Sequence, residues 1–256
     1  MIPNEIRPPE DDGENDTGMP DSEGASWHVP AFGGAIVGIV AGLFGVGWAA
    51  GKWPAAMSDF VQVLVSFIAF HVAGAVAIII VLFCHVPPGR RLAELTMTRS
   101  HGTIGVALRW TLGVLPLVIV ANAVVHLLMR LLDVPATSDP VLDTLFQSRV
   151  HVVAAVAVGA VIIAPITEEL IFRLVVHRSL AQYMGKSSAA LATSLLFAIS
   201  HMVPENVLAL FVLALVLQYL QEKYANLWYP IAVHAMFNGV MVAIVIALRF
   251  SGIDLE

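Results

Sequence analysis

Residues 152–173 read VVAAVAVGAVIIAPITEELIFR. Fifteen residues without a single polar side chain lead directly into two adjacent carboxylates, Glu168 and Glu169, followed by Arg173. An apolar run of this kind, taken with its flanks, reaches the ~20 residues that a helix needs to cross a bilayer. A charge near the middle of a bilayer costs about 3 kcal/mol or more on insertion scales. Three charges on one such helix therefore need a reason.

The rest of the chain agrees. Of its 256 residues 58% are hydrophobic and 12% charged, and the mean hydropathy is +0.84; soluble domains carry about 25% charged residues. The expected fold is an all-α, polytopic transmembrane helix bundle with about seven spans, at roughly 31–50, 60–84, 104–132, 150–176, 187–203, 206–221 and 227–249. The third and fourth runs exceed one span and are expected to continue into the interface. The fifth and sixth are short and meet at MVPEN (202–206), which predicts a tight helical hairpin with Pro204 in the first turn of its second helix, where a missing N–H costs nothing. In the first span GAIVGIVAG places Gly34, Gly38 and Gly42 on one face, a spacing that allows close helix packing in lipid.

The formal charge of −6 is concentrated at one end. Residues 1–28 hold eight of the 19 acids against Arg7 alone, leaving eleven acids and twelve bases elsewhere. A tail of that composition cannot bury a core and is expected to be disordered. The chain then divides into an acidic tail (1–28), a variable region of three spans (29–149) and a transmembrane core (150–250) that contains the charged helix. No basic face suggests nucleic acid as a partner, and the single Cys84 excludes an internal disulfide or a cysteine-rich metal site. Arg90, Arg91 and Arg99 after the second span, and Arg178 and Lys186 after the fourth, place those connections inside by the positive-inside rule. With seven spans the N-terminus is then cytoplasmic and the protein a multi-pass component of the cell membrane.

Within the fourth span Glu169 and Arg173 are i, i+4, a spacing that permits an ion pair. Glu168 lies about 100° round the helix and is left over, and an unpaired intramembrane carboxylate is a candidate functional group. Pro165, just upstream, cannot donate to the carbonyl of Val161 and predicts a distortion of the helix near the acids. Two later spans supply partners: FAISH sets Phe197 and His201 on one face, and HAMFN does the same for His234 and Asn238. His71 in the second span, and Asn122 and His126 in the third, read as helix–helix hydrogen-bonding groups. His28, His85, His101, His151 and His177 fall near span ends. A carboxylate, two imidazoles and a carboxamide on three helices suit water-mediated amide cleavage. A buried carboxylate can take a proton from water near neutral pH, an imidazole can hold that water or protonate the leaving amine, and a second imidazole with an asparagine can stabilise the oxyanion. The same groups suit the proton relay of a coupled transporter, and spacing alone does not choose.

APITEELIFR, FAISH and HAMFN, in that order, resemble the three motifs of the CPBP family, the membrane-embedded CAAX proteases and bacteriocin-processing enzymes also called the Abi family, which include the type II CAAX prenyl proteases. The motifs EExxxR, FxxxH and HxxxN/D stand here as Glu168-Glu169-x-x-x-Arg173, Phe197-x-x-x-His201 and His234-x-x-x-Asn238. The LWYPIAVH lead-in to the last motif is also similar, and the resemblance covers roughly residues 150–245. The sequence departs from the family at Leu174, where glycine is common, and at Val212–Leu220, where small residues are usual. The resemblance implies an intramembrane endopeptidase acting on a protein or peptide, possible lipid modification of that substrate included. It implies Glu168 as the base that activates water, His201 as its partner, His234 and Asn238 as the oxyanion site, and Glu169 and Arg173, with Phe197, as support. An inactive scaffold or chaperone of the same fold stays open, as do substrate identity and oligomeric state. No cofactor is favoured. Zinc is an alternative: Glu168, His201 and His234 could form a three-ligand site. Against it, HExxH is absent and Glu169, the remaining base, is spaced to pair with Arg173.

Overall fold

A computed structural model of the chain describes residues 28–34, 36–38, 59–91, 103–135 and 140–251. Residues 1–27 of the acidic tail, Gly42, Arg99 and His101 lie outside them. The described residues form helices and turns, with no strand among them. Helix α1 runs His28–Gly38, α2 Asp59–His85, α3 Thr103–Leu131, α4 Pro140–Gln147, α5 Val150–Met184, α6 Lys186–Ser200, α7 Val207–Tyr224 and α8 Trp228–Ser251. Stretches within α3, α5, α7 and α8 are long and apolar enough to cross a membrane, and the shorter apolar stretches are His28–Gly38, Ala73–His85 and Lys186–Ser200. The protein is an integral membrane protein built as a helical bundle. Large apolar side chains such as Leu108, Leu112, Leu117, Ile119 and Leu128 stand exposed along α3, a surface suited to lipid and not to water.

Helix α5 is the longest and the least regular. It is π-helical at Gly159–Ile163 and again at Leu170–Val176. The first stretch ends where Pro165, which has no N–H, would otherwise leave the carbonyl of Val161 unmatched in the α ladder. Widened turns of this kind absorb such a defect and recur at functional sites. The expected distortion at Pro165 therefore takes the form of wide turns bracketing Ala164–Glu169, the turn that carries both carboxylates.

Three apolar clusters hold the bundle. Ala31 of α1, Ile78 and Leu82 of α2, and Leu170, Ile171 and Leu174 of α5 form one, together with Leu227 and Ile231. The second joins α3, α7 and α8 through Val114, Leu213, Leu217, Val233 and Phe237. The third packs Leu145 of α4 against Val153 and Val245. Helix α8 borders all three clusters.

The turns follow from local chemistry. Gly185 separates α5 from α6 at φ 79°, a conformation that only glycine adopts without strain. The α6–α7 hairpin forms as expected, with Pro204 opening the 3-10 turn before α7. Asn226 Oδ1 accepts the backbone N–H of Trp228 at 2.9 Å and so caps α8. Helix α4 has no counterpart among the seven expected spans. It is docked by Arg249, whose two terminal nitrogens donate to the carbonyls of Leu145 and Ser148 at 2.6 and 2.7 Å.

The glycine face of α1 packs as its spacing predicts. A Cβ at Gly34 would lie 3.2 Å from Val81 Cγ2, and one at Gly38 would lie 2.9 Å from the Ala73 carbonyl oxygen and 3.0 Å from Ala77 Cβ. Nothing lies within 4 Å of a Cβ at Gly33. Gly38→Leu should therefore destabilise the protein by about 1–3 kcal/mol, the usual range for overpacking, whereas Gly33→Leu should be close to neutral. Thermal unfolding of the two variants in detergent measures the difference.

Candidate active site

The two adjacent glutamates have opposite surroundings. Glu169 is 0% exposed and has a partner at each oxygen: Oε2 pairs with Arg173 Nε at 3.0 Å, and Oε1 accepts from His234 Nδ1 at 3.0 Å. Arg173, also fully buried, lays its guanidinium over the Phe197 ring at 5.1 Å, a cation–π contact that stabilises a desolvated cation. The expected i, i+4 pair thus forms, and His234 joins it from α8.

Glu168 is different. Its Oε2 is buried with no hydrogen-bond partner among the described residues. Facing it are His234 Nε2 at 3.8 Å and His201 Nε2 at 4.0 Å, while Oε1 faces His71 Nδ1 at 3.9 Å. These separations exceed a direct hydrogen bond. A water about 2.8 Å from both atoms of such a pair would cap it with an angle of roughly 90°, within normal hydrogen-bonding range.

The other nitrogen of each ring fixes its tautomer. His201 Nδ1 lies 2.8 Å from the Phe197 carbonyl oxygen, which can only accept, so Nδ1 carries the proton. His234 Nδ1 faces the Glu169 carboxylate and is protonated for the same reason. In the neutral rings both Nε2 lone pairs then point towards Glu168 Oε2, an arrangement that accepts protons from a water held between them. Phe197 forms the wall behind both rings, 4.8 Å from His201 and 5.7 Å from His234 between centroids.

Of the residues singled out in the sequence, Glu168, His201 and His234 come together, with Glu169, Arg173 and Phe197 behind them. Asn238 has a partner of another kind: Nδ2 donates to the Ala160 carbonyl at 2.8 Å, inside the first π-helical stretch. One of its two N–H bonds is thereby committed to holding α5 against α8. His71 is the residue that sequence reasoning set aside. It does make the helix–helix hydrogen bond expected of it, from Nδ1 to Thr167 Oγ1 at 3.1 Å, but that bond also brings it to Glu168. His177, placed near a span end in the sequence reading, is buried, with Nε2 3.4 Å from Glu222 Oε1.

A zinc ion fits this ring poorly. Ligand atoms about 2.0–2.1 Å from a tetrahedral zinc lie roughly 3.3–3.4 Å apart, and the Glu168–His234 and Glu168–His201 pairs are wider, at 3.8 and 4.0 Å. Among the described residues no group of three or more His, Cys, Asp or Glu is arranged to hold a metal ion.

The buried Arg173–Glu169 pair sets the stability of the site. Removing one partner strands the other charge, at a cost of about 3–5 kcal/mol. Arg173→Met should lower the thermal unfolding temperature in detergent markedly, and Glu169→Gln combined with Arg173→Met should recover much of the loss.

Residues 150–240 match the family model described as Type II CAAX prenyl endopeptidase Rce1-like. No match was found among curated proteins or among solved structures. The matched segment contains Glu168, Glu169, Arg173, Phe197, His201, His234 and Asn238, all the residues of the three motifs. Residues 150–240 are thus similar to the CAAX-type endopeptidases whose motifs they carry.

Proposed function

We propose that the protein is an intramembrane endopeptidase that hydrolyses a peptide bond with a water activated by Glu168. One observation carries this reading: Glu168 Oε2 is buried, has no hydrogen-bond partner among the described residues and faces two imidazole Nε2 atoms across a water-sized gap. A base so placed is held ready and is not consumed by a structural bond.

In the proposed reaction a water lies between Glu168 Oε2 and the two rings. Glu168 takes one proton from it as the water oxygen bonds to the substrate carbonyl carbon. The carbonyl oxygen becomes an oxyanion, stabilised by the N–H of Asn238 that does not bond Ala160, with the His234 ring, held by Glu169, beside it. Collapse of the tetrahedral intermediate breaks the C–N bond. The amine leaves with the proton that Glu168 took up, delivered directly or through His201. Glu169 and Arg173 hold His234 in place without changing charge. The site works in this scheme without a metal, in keeping with the wide ring of ligand atoms. The family description, a CAAX prenyl endopeptidase, supports a peptide with a lipidated C-terminal cysteine motif as the substrate class.

Glu168→Gln keeps the shape of the site and removes the base. On a farnesylated CAAX peptide with a fluorophore and quencher across the scissile bond, it should lower kcat by about 10²–10⁴-fold, the usual worth of a general base. The variant should still insert in the membrane and accumulate as the wild type does. Cleavage retained in this variant would overturn the proposal. So would a solute transported by wild-type proteoliposomes that show no peptidase activity.

Metal analysis of the purified protein, with activity measured after chelation, tests the metal-free step. Activity is expected to survive chelation. Stoichiometric zinc whose removal abolishes cleavage, and whose return restores it, would replace Glu168 as activator.

A further inference from the structure

His71 lies on α2, outside residues 150–240 and outside the three motifs. It is buried, and its Nδ1 lies 3.1 Å from Thr167 Oγ1 and 3.9 Å from Glu168 Oε1. The hydroxyl of Thr167 has one hydrogen, and its oxygen lies 3.0 Å from the carbonyl of Ile163 and 3.1 Å from that of Ala164. Neither carbonyl can donate, so the hydroxyl spends its hydrogen on them and accepts from the ring. His71 therefore carries a proton on Nδ1, and that N–H also lies on the Oε1 side of Glu168.

The two oxygens of Glu168 are thus divided between helices. Oε1 faces an N–H from α2; Oε2 faces two lone-pair nitrogens from α6 and α8. A carboxylate rotates about its last bond with little resistance, since that torsion is broad. An N–H on one side and acceptors on the other give it a preferred face.

We propose that His71 is a positioning residue of the active site: held on Thr167 by its Nδ1–H, the ring keeps the positive end of that bond 3.9 Å from Glu168 Oε1 and so favours the carboxylate orientation that turns Oε2 to the water. The proposal rests on the endopeptidase reading and extends the site beyond the matched domain, to a helix of the variable region. Among the described residues the charged and titratable groups around Glu168 are His71 from α2, Glu169 and Arg173 from its own helix, His201 from the end of α6 and His234 from α8. Helix α2 is held near α5 by the first apolar cluster, through Ile78 and Leu82. Gly38 lets α1 close on the Ala73 carbonyl, two residues from His71.

The test compares His71→Leu, His71→Asn and Thr167→Val with the wild type, all purified in detergent and checked by thermal unfolding. Asparagine places an amide N–H near the position of Nδ1. On the farnesylated CAAX peptide, His71→Leu should lower kcat by about 10–100-fold, the cost of misplacing a reacting group. KM should change by less than about twofold, since the group is not proposed to touch substrate. His71→Asn should restore most of kcat, and Thr167→Val should lose less than His71→Leu. A second readout needs no substrate: labelling of Glu168 by dicyclohexylcarbodiimide, followed by mass spectrometry across pH. His71→Leu should move the pH of half-maximal labelling by about half a unit or more, and His71→Asn should reduce that displacement. Wild-type kinetics and labelling in His71→Leu would overturn the proposal. It would also fail if Asn proved as deficient as Leu and Thr167→Val matched both, because that pattern is helix packing alone. A wild-type protein that leaves the peptide intact would count against the endopeptidase reading, and the labelling would still decide the role of His71.

Discussion

The site depends on a charge pair that never meets solvent. Arg173 and Glu169 are both fully buried and 3.0 Å apart, in a helix whose preceding turns are entirely apolar. Neither group could stay charged in lipid alone, and the loss of either would strand its partner. Once paired, they leave one carboxylate oxygen of Glu169 to accept from His234. That single bond ties α5 to α8 and fixes which nitrogen of His234 faces Glu168. The pair therefore does more than neutralise itself. It orients the ring on which the proposed chemistry depends, in the way that outer hydrogen-bond partners orient a histidine ligand.

The backbone of α5 contributes through its irregularity. A regular helix would hold every carbonyl in its own ladder and offer none to a neighbour. The wide turn at Gly159–Ile163 leaves the Ala160 carbonyl to Asn238, so the two helices are joined above the glutamates by a carboxamide and beside them by an imidazole. Between these ties α8 has little freedom to slide along α5. Thr167 plays the matching part on the other side, with its hydroxyl on the carbonyls of its own helix and its lone pair on His71. Three other helices thus converge on Glu168, each through a histidine.

Much of this was legible in the sequence, for physical reasons. Intramembrane charge is expensive enough that its spacing is informative: i, i+4 identified the Glu169–Arg173 pair, and the remaining carboxylate identified Glu168. The FxxxH and HxxxN spacings put the partners on helix faces that could turn inward. Gly34 and Gly38 marked a close helix contact from their period, and the structure shows that α2 makes it. His71 was not legible. A single histidine in an apolar span has no periodic partner on its own helix, and its importance arises from Thr167, 96 residues away. Helix α4 was hidden because eight residues between two long apolar runs read as a connection, and Arg249, which docks it, lies more than a hundred residues further on. The committed N–H of Asn238 was hidden too, since the acceptor exists only where the helix widens.

The proposed reaction also requires the site to hold water in an apolar bundle, and charge explains how it can. Two carboxylates and one guanidinium leave a single net negative charge in the cluster. Burial of an uncompensated charge is costly, and a water between Glu168 Oε2 and the imidazoles would lower that cost by solvating the carboxylate. In the proposed reaction the carboxylate takes a proton from that water and passes it on, directly or through an imidazole. Hydrolysis needs both within a single turnover, first to strip the water and then to release the amine. The arrangement that makes the charges tolerable in lipid is therefore the arrangement that supplies both halves of the proton transfer. The adjacent glutamates divide the labour: Glu169 is held at 3.0 Å by Arg173 and by His234, while the nearest imidazole nitrogens stand 3.8–4.0 Å from Glu168.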